Sequence, residues 1–66
     1  MDTMDQIAAR VRQRRKQLGL TQIDLALIAS VSSTFIYQVE KAKPTVSLEP
    51  LVQVLSALGL AIKVVP

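Results

Sequence analysis

Neither cysteine nor histidine occurs anywhere in this 66-residue chain. A chain so short has much surface for its volume, and such domains lean on a disulfide, a metal or a partner chain for stability. Here disulfides and thiolate metal sites are excluded, and the usual zinc ligand and the commonest general base are missing as well. A second protein chain is therefore the expected source of extra stability, and no metal or cofactor is expected. The residues are 50% hydrophobic and 20% charged, the balance of a folding domain and not of a disordered tail.

The net charge is +3, and five of the eight basic residues form one run: Arg10, Arg12, Arg14, Arg15 and Lys16. A basic surface favours polyanions. No apolar run is long enough to span a bilayer, and the opening MDTMDQ is acidic, unlike a signal peptide. A cytoplasmic protein is expected. The basic run winds around its helix instead of keeping to one face, which argues against membrane-surface binding. The acids are scattered and no glycine-rich phosphate loop is present, so an enzyme is not expected. A single Tyr and a single Phe offer little for stacking RNA bases.

Periodicity predicts four helices in one domain. Thr3 with Gln6 forms a capping box, Met4, Ile7, Val11 and Leu18 recur at helical spacing, and Gly19 stops the helix. Thr21 with Asp24 opens a second helix with Leu25, Ala26 and Ile28 inward. Ala29–Ser30–Val31 separate it from a third, capped by Ser32 and ended by Lys41–Ala42–Lys43–Pro44. Ser47 caps a fourth, with Leu48, Leu51, Val52, Leu55 and Leu58 on its apolar face and Gly59 closing it. The tail LAIKVVP is β-branched and partly alternating, and predicts one short strand. A lone strand is an open edge, and pairing with the same strand of a second copy closes it. Leu60, Ile62 and Val64 then face the helices and Lys63 faces outward.

The third helix carries the functional signal. At about 100° per residue, Ser33, Thr34, Tyr37, Gln38 and Lys41 share one face, opposite Phe35, Ile36, Val39 and Glu40. Solvated helix faces are usually rich in Lys and Glu. This one offers short hydroxyls and an amide, the groups that read base edges. A plain solvated face and a base-reading face both fit the helix alone. Two short helices joined by a tight turn, the second with a polar outer face, make a helix-turn-helix.

The span LGLTQIDLALIASVSSTFIYQVEKAKP resembles the phage-repressor and Cro-type (Xre-like) helix-turn-helix family. It does so in the LGLTQ lead-in, Leu25–Ala26, Val31–Ser32, Ile36, Val39–Glu40 and the Lys43–Pro44 exit. KPTVSLEPLVQVLSALGLAIKVVP is similar to a subgroup that includes Hip-type antitoxins, in which a strand follows the last helix. The resemblance implies a mainly α, four- to five-helix repressor-like domain. Residues 1–59 would form the DNA-binding unit and 60–66 a strand pairing across a dimer. It implies a transcriptional repressor of a palindromic operator in double-stranded DNA. It also implies an antitoxin that represses its own operon and holds a kinase-like toxin; a stand-alone repressor, or an antitoxin working mainly through protein contacts, stays open beside it.

Position by position, the resemblance gives Gln22 a DNA phosphate to grip, and Ser33, Thr34 and Gln38 base-reading roles. Ser32, Tyr37 and Lys43 fall where phosphate or flanking contacts are made, and Lys41 closes the same face. Arg15 and Glu40 lie beside the apolar stripes of their helices and are expected to form a partly buried ion pair, which leaves Arg10, Arg14 and Lys16 for phosphates. Two positions depart from the family pattern: Ser30 and Ala42 stand where glycine is usual.

Overall fold

Threonine, serine and glycine placement decides where each helix begins and ends. A computed structural model describes residues 3–63. Its helices are α1 (Met4–Gln17), α2 (Gln22–Ala29), α3 (Ser33–Glu40) and α4 (Leu48–Ala57). Thr3 and Gln6 exchange side-chain and backbone hydrogen bonds at the start of α1, and Thr21 and Asp24 do the same at the start of α2. The Thr21 backbone N–H donates to Asp24 Oδ2 at 2.9 Å, which holds that carboxyl below its ordinary value. Ser32 Oγ accepts from the Phe35 N–H at 3.0 Å and starts α3. Ser47 occupies the same place before α4, but its hydroxyl makes no capping bond.

All four helices end in one way. A residue in the left-handed region follows the last turn, and the next N–H reaches back five residues to close it. Those bonds run from Leu20 to the Arg15 carbonyl, Val31 to Ala26, Lys43 to Gln38 and Leu60 to Leu55, at 2.8–3.1 Å. Gly19 and Gly59 supply two of the left-handed residues, at φ 70° and 72°; Ser30 and Ala42 supply the others, at φ 60° and 59°. A side chain in that region is strained by roughly 1 kcal/mol or more relative to glycine.

α2 packs on α3 and on α4, and α1 packs on α3. The buried core is Val11 from α1, Leu25, Ala26 and Ala29 from α2, Ile36 and Val39 from α3, and Leu51, Val54, Leu55 and Leu58 from α4 and its end. Ile28, expected inward, is 58% exposed, and Ala29 takes the inward place. Residues 25–29 are all apolar, so apolar spacing alone cannot phase this helix. Leu48 and Val52, expected on the apolar face of α4, are exposed, while Val54 is buried. Helical rotation places both on one flank of the stripe that Leu51, Val54, Leu55 and Leu58 bury.

The tail departs from the expected strand. Residues 60–63 form no strand, and the architecture is four helices among the described residues. A strand needs a neighbour to complete its ladder, and the Leu60 N–H is already taken by the end of α4. Leu60 and Ile62 are half-buried against the core, Lys63 is exposed, and Val64 lies outside the described residues.

Among the described residues one charged side chain lies inside. Glu40 is 6% exposed, and Arg15 grips both its oxygens, Nε to Oε2 at 2.8 Å and Nη2 to Oε1 at 3.0 Å. These bonds raise the Arg15 pKa above its ordinary value. Removing one member of a buried pair leaves an uncompensated charge, at a cost of about 3–5 kcal/mol. Arg15→Ala should therefore melt far below the wild type, since a domain this size loses roughly 4–8 °C per kcal/mol. Equal melting temperatures would mean that solvent already screens the pair. The strained ends make a second, opposite prediction. Ser30→Gly and Ala42→Gly should each stabilise by up to about 1 kcal/mol, less the extra freedom glycine gives the unfolded chain. Thermal melts in which neither variant gains would show that no strain is stored at these ends.

Candidate nucleic-acid interface

α3 is built to show one face and hide the other. Ile36 and Val39 are fully buried, Phe35 is half-buried, and Glu40 is held by Arg15. Ser33, Thr34, Tyr37 and Lys41 are exposed on the opposite side, and Gln38 is half-buried between. Among the described residues no hydrogen bond from another protein group engages the side chains of Ser33, Thr34 or Gln38. Their donors and acceptors are open to an outside partner. The Ser32 hydroxyl caps α3 with a lone pair, so its O–H stays free to donate. Lys41 Nζ sits 5.6 Å from the centre of the Tyr37 ring, so the cation and the aromatic form one unit at the end of the face. Lys43 is exposed just beyond.

Gln22 starts α2 and is half-buried. Its Nε2 donates to Glu40 Oε1 at 3.3 Å. Arg15 donates further, from Nη1 to the Leu20 carbonyl at 2.9 Å, and so also holds the turn that leads into α2. The lead-in to α2, the start of α2 and the end of α3 are thus tied together around one carboxylate. An open groove of about 600 Å³ lies here, lined by Arg12, Gln22, Tyr37 and Lys41 among others.

The basic run does something the sequence did not announce. Arg12 donates from Nη1 to the backbone carbonyl of Glu40, at the C-terminal end of α3. Arg14 donates from Nε to the carbonyl of Leu58, at the end of α4, at 3.0 Å. Cations are favoured at helix C-termini, where unpaired carbonyls and the helix dipole present negative charge. Arg14, expected among the phosphate-facing residues, is half-buried and spends its Nε on the protein. Arg10 and Lys16 are exposed, with no such bond among the described residues. The partners of Arg12 and Arg14 lie 28 and 44 residues away, so no local pattern could have marked them. Among the described residues no cluster of three or more potential ligands could hold a metal ion.

Comparison with known proteins agrees with this geometry. A family profile described as helix-turn-helix matches residues 11–65. A protein of Sinorhizobium fredii (strain NBRC 101917 / NGR234), named as an uncharacterized HTH-type transcriptional regulator, y4mF, is 41% identical over 58 residues, covering 88% of this chain and 76% of that protein. With its α2–turn–α3 unit and its outward polar helix, the chain belongs to the helix-turn-helix family, in its phage-repressor and Cro-like branch.

Proposed function

We propose that the chain is a sequence-specific DNA-binding repressor that works as a homodimer on a palindromic operator. The observation that carries this reading is the outer face of α3. It is exposed, rich in hydrogen-bonding groups and unsatisfied within the protein, while its inner face is locked by Ile36, Val39 and Glu40. Ser33, Thr34 and Gln38 read base edges in the major groove. Gln22, Ser32, Tyr37, Lys41 and Lys43 hold phosphates and fix the register of the helix. No catalytic step belongs to this reading. The protein acts in the cytoplasm, and among the described residues no helix is long and apolar enough to cross a membrane.

Dimerisation is supported by apolar surface that one copy leaves open. Leu48 and Val52, one turn apart on α4, are 68% and 45% exposed. Leu60 and Ile62 are only half-buried, and in this reading they lie at the contact across the twofold. A symmetric dimer sets the two α3 helices about one DNA turn apart, roughly 10 base pairs. The wider role follows from the likeness of residues 43–66 to Hip-type antitoxins: autorepressor of an operon that encodes a kinase-like toxin. A stand-alone repressor is the second reading, favoured by the S. fredii relative, whose name speaks of transcriptional regulation.

Two experiments test the proposal. In a binding-site selection from random duplexes, Gln38→Ala should lose preference at one base position per half-site, because an amide pairing with adenine gives about 1–3 kcal/mol of discrimination. An unchanged consensus would take Gln38 out of base reading. Deleting residues 61–66 spares the Leu60 N–H that closes α4. The shortened protein should halve in solution mass and bind the selected duplex weakly. If it remains a dimer with full affinity, the tail is not the assembly element.

A further inference from the structure

We propose that Glu40 is a positioning residue for phosphate recognition: by accepting one N–H of the Gln22 side-chain amide, it aims the other at a DNA backbone phosphate. The inference rests on the DNA-binding reading above. An amide nitrogen carries two hydrogens in a fixed plane. One of them is donated to Glu40 Oε1, with Nε2 and Oε1 3.3 Å apart. The second has no protein acceptor among the described residues, and Gln22 lines a groove together with Asp5, Arg12, Tyr37, Glu40 and Lys41.

The support for Gln22 is itself rigid. Glu40 is buried, both its oxygens are held by Arg15, and its backbone carbonyl accepts from Arg12. A free glutamine loses rotamer freedom when it grips a ligand; one already held in place loses less, which can raise affinity by up to about tenfold. A carboxylate beside a phosphate would ordinarily repel it. Arg15 cancels that charge at 2.8 Å, so Glu40 can orient the amide without opposing the ligand.

The sign of one substitution separates positioning from simple charge. Glu40→Gln removes a negative charge and frees the Arg15 cation, so electrostatics alone would tighten DNA binding. Positioning through Gln22 makes the opposite forecast, because the neutral amide oxygen that replaces the carboxylate is a weaker acceptor for the Gln22 N–H. Affinity per folded molecule, measured on a duplex selected with the wild-type protein, should weaken about three- to tenfold. The same change in a Gln22→Ala background should then cause no weakening, because the residue it acts through is gone. Gln22→Ala alone should weaken all duplexes alike, since a phosphate carries no sequence information. Equal weakening by Glu40→Gln in both backgrounds, or tighter binding in the wild-type background, overturns the proposal while leaving DNA binding intact. Failure of the wild type to enrich any duplex overturns the DNA reading itself. Should Glu40→Gln not fold, the wild type answers by NMR. One Gln22 side-chain amide proton should lie downfield of those of exposed Gln13, Gln17 and Gln53; shifts matching theirs would show an unheld amide and overturn the proposal.

Discussion

A buried carboxylate at the wrong end of a helix is the constraint around which this fold is arranged. Glu40 is the last residue of α3, where the helix dipole and unpaired carbonyls already present negative charge. Burying an ionised group there is costly unless it is paired and hydrogen-bonded. Three side chains meet that demand: Arg15 on the carboxylate, Gln22 on one of its oxygens and Arg12 on the backbone carbonyl. Because these come from α1 and the start of α2, neutralising one charge also brings the ends of three helices together. A well-packed apolar substitute could stabilise as much or more. What the ion pair adds is direction: its two-point fork ties α1 to the end of α3.

The arginines of α1 illustrate how charge and contact differ. Arg12 and Arg14 keep their full positive charge when they donate to neutral carbonyls, so they still contribute to the field that draws a polyanion. Yet each has an N–H committed to a helix end, and Arg15 is cancelled by Glu40. The run that reads in sequence as a basic surface is, in three of its five members, an anchoring system for the C-terminal ends of α3 and α4 and the turn after α1. Arg10 and Lys16 are the exposed cations of that run with no such bond among the described residues.

How much of this was legible in the sequence follows from the range of each interaction. The capping boxes at Thr3 and Thr21 and the glycine stops at 19 and 59 span three to five residues, and the structure shows them where the spacing placed them. The division of α3 into an outer and an inner face follows from rotation alone. The facing direction of α2 was not legible, because Leu25 to Ala29 offer an unbroken apolar run, and Ile28 turns out exposed. Ser47 had the residue type of a cap but forms no capping bond. The arginine anchors depend on tertiary closure across 28 and 44 residues. A strand in the tail is a statement about a neighbour, and a single copy supplies none.

The composition of α3 makes sense in this light. Of its eight residues, STFIYQVE, all but Gln38 and Glu40 are indifferent or poor helix formers, and a helix of two turns is unstable alone in water. Its shape must therefore come from outside: the Ser32 cap at one end, Ile36 and Val39 in the core, and Glu40 with its arginines at the other. Once the inner face and both ends hold the helix, the outer face is relieved of any duty to stabilise it. Hydroxyls, an aromatic ring and an amide, which a freestanding helix would tolerate badly, can then occupy Ser33, Thr34, Tyr37 and Gln38. The cap, the core contacts and the ion pair together hold a helix this short while its outer face offers hydrogen-bonding groups to the outside.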